Sequence, residues 1–144
     1  MSVNLSIVAT SRNDNHGGDA LRRMSLFVNG LIEQSRRFQV NIELIIVEWN
    51  PPEDKPLLKE ILPKPEPNDY LLIRYIIVPN EIHRRYNHGN SIPLYQMIAK
   101  NVGIRRANGK FVLCTNIDLL FSNELYNLMT SQSLDPTKVY RANR

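Results

Sequence analysis

One cysteine in 144 residues has nothing in the chain to pair with, which excludes an internal disulfide and a cysteine-rich zinc site. Uninterrupted apolar stretches are short, far below the roughly 20 residues that a membrane helix needs. The opening "MSVNLSIVATSRND" has no basic start before a long apolar run. The expectation is therefore a chain without a signal peptide, in the reduced cytoplasm. Glycine-rich phosphate loops are missing: neither G-x-G-x-x-G nor a Walker-type loop occurs, and "HGGD" alone is too short a signal. There is no nucleophile elbow and no Ser-His-Asp order. Histidine is scarce as well, and His16, His83 and His88 lack the i, i+4 spacing of a helical metal pair.

An excess of one charge is nearly missing too. Eighteen basic residues against 14 acidic ones leave a net charge of +4. The basic residues come as scattered doublets, Arg22-Arg23, Arg36-Arg37, Arg84-Arg85 and Arg105-Arg106. A nucleic-acid module concentrates its cations on one face. The expected partners are therefore small anionic ligands and not nucleic acid.

What remains is an ordinary globular composition, 42% hydrophobic and 22% charged, in a length that suits one domain over 1–144. "LSIVAT" reads as a strand over 5–10, followed by a helix with apolar positions Leu21, Met24, Leu26, Phe27, Leu31 and Ile32 and with Asp19 as its N-cap. A second strand covers 42–48, a short helix 54–62, and a third strand about 70–78. Residues 79–92 have no periodicity and read as a long polar loop, functional or mobile. A helix over 93–107 opens on Pro93 and closes at Asn108-Gly109, with Gly103 and Ala107 letting it approach a sheet closely. A fourth strand covers 110–115, another helix starts at Ser122 or Asn123, and "KVYRANR" reads as a fifth strand. Continuous apolar strands alternating with helices predict an α/β, Rossmann-like, mainly parallel sheet with helices on both faces.

Ligands of such sheets bind beyond the carboxyl ends of the strands. There the sequence places Thr10, Ser11, Arg12, Asn13 and Asp14, then Glu48, Trp49 and Asn50, then Thr115, Asn116 and Asp118. Asp118 has the oxygen chemistry of a ligand for Mg2+ or Mn2+, or it caps a turn. Asn116 suits a ribose hydroxyl or a turn. Glu48 is an acceptor for a base or sugar, or a solvated strand end. Trp49 covers a ligand or packs on Pro51. Asn101 shares the apolar side of its helix with Leu94 and Ile98, so it either ties that helix to its neighbours or touches a ligand. Cys114, inside the apolar run "FVLC", is expected as a small core residue.

"LSIVATSRND", "IELIIVEWNPP" and above all "AKNVGIRRANGKFVLCTNIDLLFS" resemble glycosyltransferase family 2, enzymes of the GT-A fold that use nucleotide-sugar donors. The last segment carries the family's spaced Asn, Gly, Ala and Gly ahead of a strand and a D-x-D motif. The resemblance implies that Thr10, Ser11, Arg12 and Asn13 line a nucleotide pocket and that Glu48 contacts the base or ribose. It puts Asn116 and Asp118 at the D-x-D positions, with Asp118 binding a divalent Mn2+ or Mg2+ ion that bridges the diphosphate of a UDP- or GDP-sugar. Asn116 stands where the family has its first Asp, and Glu-Trp-Asn stands where paired acids are usual. Members continue into a half with the acceptor site and general base. The resemblance thus implies a truncated, donor-binding domain, with the acceptor unidentified. The alternative is a non-catalytic nucleotide-binding or interaction module of the same fold. A sheet edge left unfinished after residue 140 would favour a homo-oligomer.

Overall fold

In the computed structural model, which describes residues 2–143, strands β1 (Leu5–Ser11), β2 (Ile42–Trp49), β3 (Leu71–Val78) and β4 (Phe111–Cys114) form one all-parallel sheet. Their order is β3-β2-β1-β4. Every residue of β1 and β2 is buried. That is what unbroken apolar runs produce when a strand is central and covered on both faces.

Helices α1 (Ala20–Phe38), α2 (Leu58–Ile61) and α5 (Asn123–Thr130) lie on one face. Helices α3 (Asn80–His83) and α4 (Gln96–Ile104) lie on the other. The helical stripe of α1 buries Met24, Phe27, Val28, Leu31 and Ile32 against Ile7, Leu44 and Ile46. On the opposite face α4 rests on Val8, Ile45 and Val47. The close approach expected of Gly103 is real: a Cβ there would lie 2.5 Å from Val8 Cγ1 and 3.1 Å from Val47 Cγ2. No helix of the described residues is long and apolar enough to cross a membrane.

Glu43 interrupts this second face. It is fully buried, yet it accepts from Ser6 Oγ, Arg74 Nη1, and both the backbone N–H and the side-chain amide of Asn108. One carboxylate thus ties β1, β2 and β3 to the turn that leads into β4.

Several expectations are corrected. β4 is an edge strand whose residues alternate between half-buried and exposed, so Cys114 is exposed and not in the core. Asn101 is exposed on α4, whose buried positions are Ala99 and Gly103. Asp19 does not cap α1 with its side chain; the first free N–H, that of Ala20, is taken by Asn15 Oδ1 at 3.0 Å. Residues 138–143 form no strand, and Arg144 lies outside the described residues.

The stretch 79–92 is not an open loop. It begins with α3, whose His83 is buried among Trp49, Tyr86 and Tyr95. The Trp49 indole N–H donates to His83 Nδ1 at 2.9 Å, and His83 Nε2 lies 2.8 Å from the Gly89 carbonyl. Only the tautomer protonated at Nε2 satisfies both contacts. His83→Ala would leave the buried indole N–H without its acceptor and is expected to cost about 1–3 kcal/mol. Red-shifted emission from the single tryptophan and faster proteolysis within 84–92 are the checks.

Candidate functional site

β1 and β4 are neighbours although β2 and β3 run off the other side of β1. The chain order therefore reverses between β1 and β4, and the connections leave a crevice beyond their carboxyl ends. A cleft of about 120 Å³ lies there. Thr10 enters it from β1, His16 from the loop between β1 and α1, Arg23 from α1, Gln96 from α4, and Asn116 and Asp118 from the end of β4. Ala20, the first residue of α1, also lines it, so the positive end of a 19-residue helix dipole faces the same space. A larger concavity of about 680 Å³ lies at the amino ends of β2 and β3, between residues 63–70 and Tyr75. It lies away from the strand carboxyl ends and their convergent polar groups.

The loop after β1 shapes the cleft. It turns through positive φ at Asn15, Gly17, Gly18 and Asp19. Asp14 Oδ1 meets both the backbone N–H and the ring Nδ1 of His16, at 3.2 and 2.5 Å. The other carboxylate oxygen accepts from Arg12 Nη1 at 3.0 Å. Burial opposes ionisation of Asp14, but the His16 hydrogen bonds and the Arg12 charge outweigh it and hold its pKa below the ordinary value. Asp14 thereby fixes the orientation of the His16 ring.

Arg23 is the hub of the cleft. Its Nε donates to the Gly18 carbonyl at 3.1 Å, its Nη2 to the His16 carbonyl at 2.6 Å, and its Nη1 to Asp118 Oδ2. Lys100, which lines the neighbouring concavity and borders the cleft at Asn116, donates from Nζ to Asn116 Oδ1 at 3.3 Å. One cation, Arg23, thus lines the cleft with one carboxylate, and a second, Lys100, stands at its border.

Of the candidate residues named from the sequence, Thr10, Asn116 and Asp118 meet in this cleft. The others serve elsewhere. Ser11 is fully buried. Arg12 Nε donates to the Asn50 carbonyl, and Asn13 donates to the Pro56 carbonyl at 3.0 Å. Asn101 stands exposed on α4. Glu48 is neither solvated nor open to a ligand: it is fully buried, and both its oxygens accept from the Leu58 N–H, at 3.1 and 3.0 Å. Burial pushes its pKa up, and burial with the nearby Glu48 charge pushes the Tyr75 hydroxyl up to about 12.

Sequence reasoning missed His16, Arg23 and Gln96. The signal for His16 was its spacing two residues after Asp14. Arg23 lay hidden in a doublet that reads as a solvated helix pair. No protein-family model, no curated protein and no solved structure matches the chain.

Proposed function

We propose that the chain is the donor-binding domain of a GT-A-type glycosyltransferase. It takes a nucleoside diphosphate sugar, UDP- or GDP-linked, in the cleft between β1 and β4 and passes the sugar to an acceptor hydroxyl. One observation carries this reading: imidazole, amide, guanidinium and carboxylate groups from four separate segments converge at the switch point of a parallel sheet. Its single free cysteine fits a cytoplasmic location.

In the transfer, the acceptor oxygen bonds to the anomeric carbon as the bond to the diphosphate oxygen breaks. The electron pair leaves on the diphosphate, and the acceptor proton goes to a base. The resemblance puts that base in the acceptor half, while His16, held at Nδ1 by Asp14, lines the donor cleft. Arg23 offsets charge on the departing diphosphate. The resemblance implies a Mn2+ or Mg2+ ion at Asp118. Asp118 is already paired with Arg23 and its D-x-D companion is an amide, so these residues do not fit the ion and no step is derived through it.

Calorimetric titration of UDP, GDP and their hexose conjugates, in Mn2+ and again in EDTA, tests the reading. Saturable binding of one nucleotide series is expected. A folded chain that binds none in either buffer is not a donor site. A second reading, a nucleotide-binding module without transfer, is favoured by the sealing of Glu48 under α2. It would show affinity without turnover.

A further inference from the structure

We infer that the strand-end cleft binds a diphosphate directly on Arg23 and Lys100, with no divalent ion between protein and phosphate. The inference rests on the donor-site reading and replaces the metal chemistry that the resemblance attaches to it.

A divalent ion bound through substrate phosphates still needs one or two free carboxylates from the protein. The cleft offers one, Asp118, and its Oδ2 already accepts from Arg23 Nη1. The companion oxygen, Asn116 Oδ1, carries no charge and accepts from Lys100 Nζ at 3.3 Å. Arg23 thus covers one of the two Asp118 carboxylate oxygens, and Lys100 covers Asn116 Oδ1. Among the described residues no group of three His, Cys, Asp or Glu side chains is placed to hold a metal. An incoming divalent ion would meet like charge on both sides.

The same geometry welcomes an anion. Arg23 in the cleft and Lys100 at its border outnumber the single lining carboxylate, Asp118, so the local balance is positive. Arg23 gives three of its five N–H groups to Asp118, Gly18 and His16, which leaves two for phosphate oxygens. Its guanidinium is already held in place by three acceptors from two segments, so ordering it on binding costs little further entropy. Its side chain remains 34% exposed, and that of Asp118 32%. Lys100, on α4, borders the cleft at Asn116 through a contact to that neutral amide and can turn from it to a phosphate.

The test is titration of inorganic pyrophosphate and of UDP into the full chain in EDTA, then in Mn2+. Both are expected to bind in EDTA and to compete with one another, with affinity falling as ionic strength rises. Lys100→Gln and Arg23→Gln are each expected to weaken pyrophosphate about tenfold, the usual worth of a charge-assisted hydrogen bond. Asp118→Asn removes the competing carboxylate charge while keeping an acceptor for Arg23, and is expected to tighten both ligands in EDTA. Should Arg23→Gln fail to fold, Lys100→Gln and Asp118→Asn carry the result. Binding that requires Mn2+ and is lost in Asp118→Asn would overturn the metal-free site and leave the donor-site reading standing. UDP binding in EDTA that pyrophosphate does not displace would overturn the diphosphate contact alone. A folded chain that binds neither ligand in either buffer would overturn both.

Discussion

Glu43→Ala is expected to lower the unfolding free energy by about 3–5 kcal/mol, the usual consequence of removing one partner from a buried charged network. Four donors converge on this carboxylate: Ser6 Oγ, Arg74 Nη1, the Asn108 N–H and the Asn108 side-chain amide. Alanine would strand the Ser6 and Asn108 groups beside apolar neighbours and leave Arg74 with only the Arg106 carbonyl. Glu43→Gln keeps the volume but turns an amide donor toward other donors, so it too should be costly. A pH dependence follows. Burial opposes the Glu43 charge, but the bonds from Ser6, Arg74 and Asn108 outweigh it, and the folded-state pKa lies below the ordinary value of 4.5. The stabilisation is therefore fully present above about pH 4.5 and is lost as pH falls through the lower, folded value. Urea midpoints of wild type and Glu43→Gln should differ most near neutral pH and converge in acid. A constant difference down to the lowest pH would show that the charge contributes nothing.

The second large effect is expected at Gly109, the turn into β4. A Cβ there would lie 2.5 Å from the Ser6 backbone nitrogen, 2.8 Å from the Leu5 carbonyl carbon and 2.8 Å from Ser6 Oγ. Two of those atoms are backbone of a central strand and cannot swing aside. This turn is also where β4 docks on β1, through Gly109 N to Ser6 Oγ at 2.8 Å and Phe111 N to the Asn4 carbonyl at 2.9 Å. Gly109→Ala is expected to cost about 3 kcal/mol, the upper end of overpacking. Because β4 delivers Asn116 and Asp118 to the cleft, the nucleotide affinity proposed for it should fall in the same variant. Urea unfolding and amide exchange of Phe111–Cys114 are the measurements. Unchanged protection of those amides would mean that the strand accommodates the methyl group.

What the sequence determined by itself is local and periodic. Apolar runs at Leu5–Ser11 and Ile42–Trp49 gave central strands, the 3.6-residue stripe gave α1, and Gly103 gave the tight seat of α4 on Val8 and Val47. The alternation of strand and helix implied a parallel sheet, and a parallel sheet implied a site at strand carboxyl ends. Thr10, Asn116 and Asp118 were legible on that ground alone.

The tertiary structure decided everything that depends on which element lies beside which. The run "FVLC" reads the same whether its strand is central or at an edge; only the order β3-β2-β1-β4 exposes Cys114. Helical periodicity put Asn101 among apolar neighbours, but α4 turns Ala99 and Gly103 to the sheet, with Ile98 and Val102 partly buried beside them, and leaves Asn101 exposed. Glu48 is sealed because α2 folds back over it, which a strand-end position does not reveal. Arg23 meets Asp118 across 95 residues of sequence, and no spacing rule encodes that pairing. Periodicity records how one element divides its own faces between core and water. Long-range partnership is set by strand order and by how two buried faces fit together, and those exist only once the chain has closed on itself.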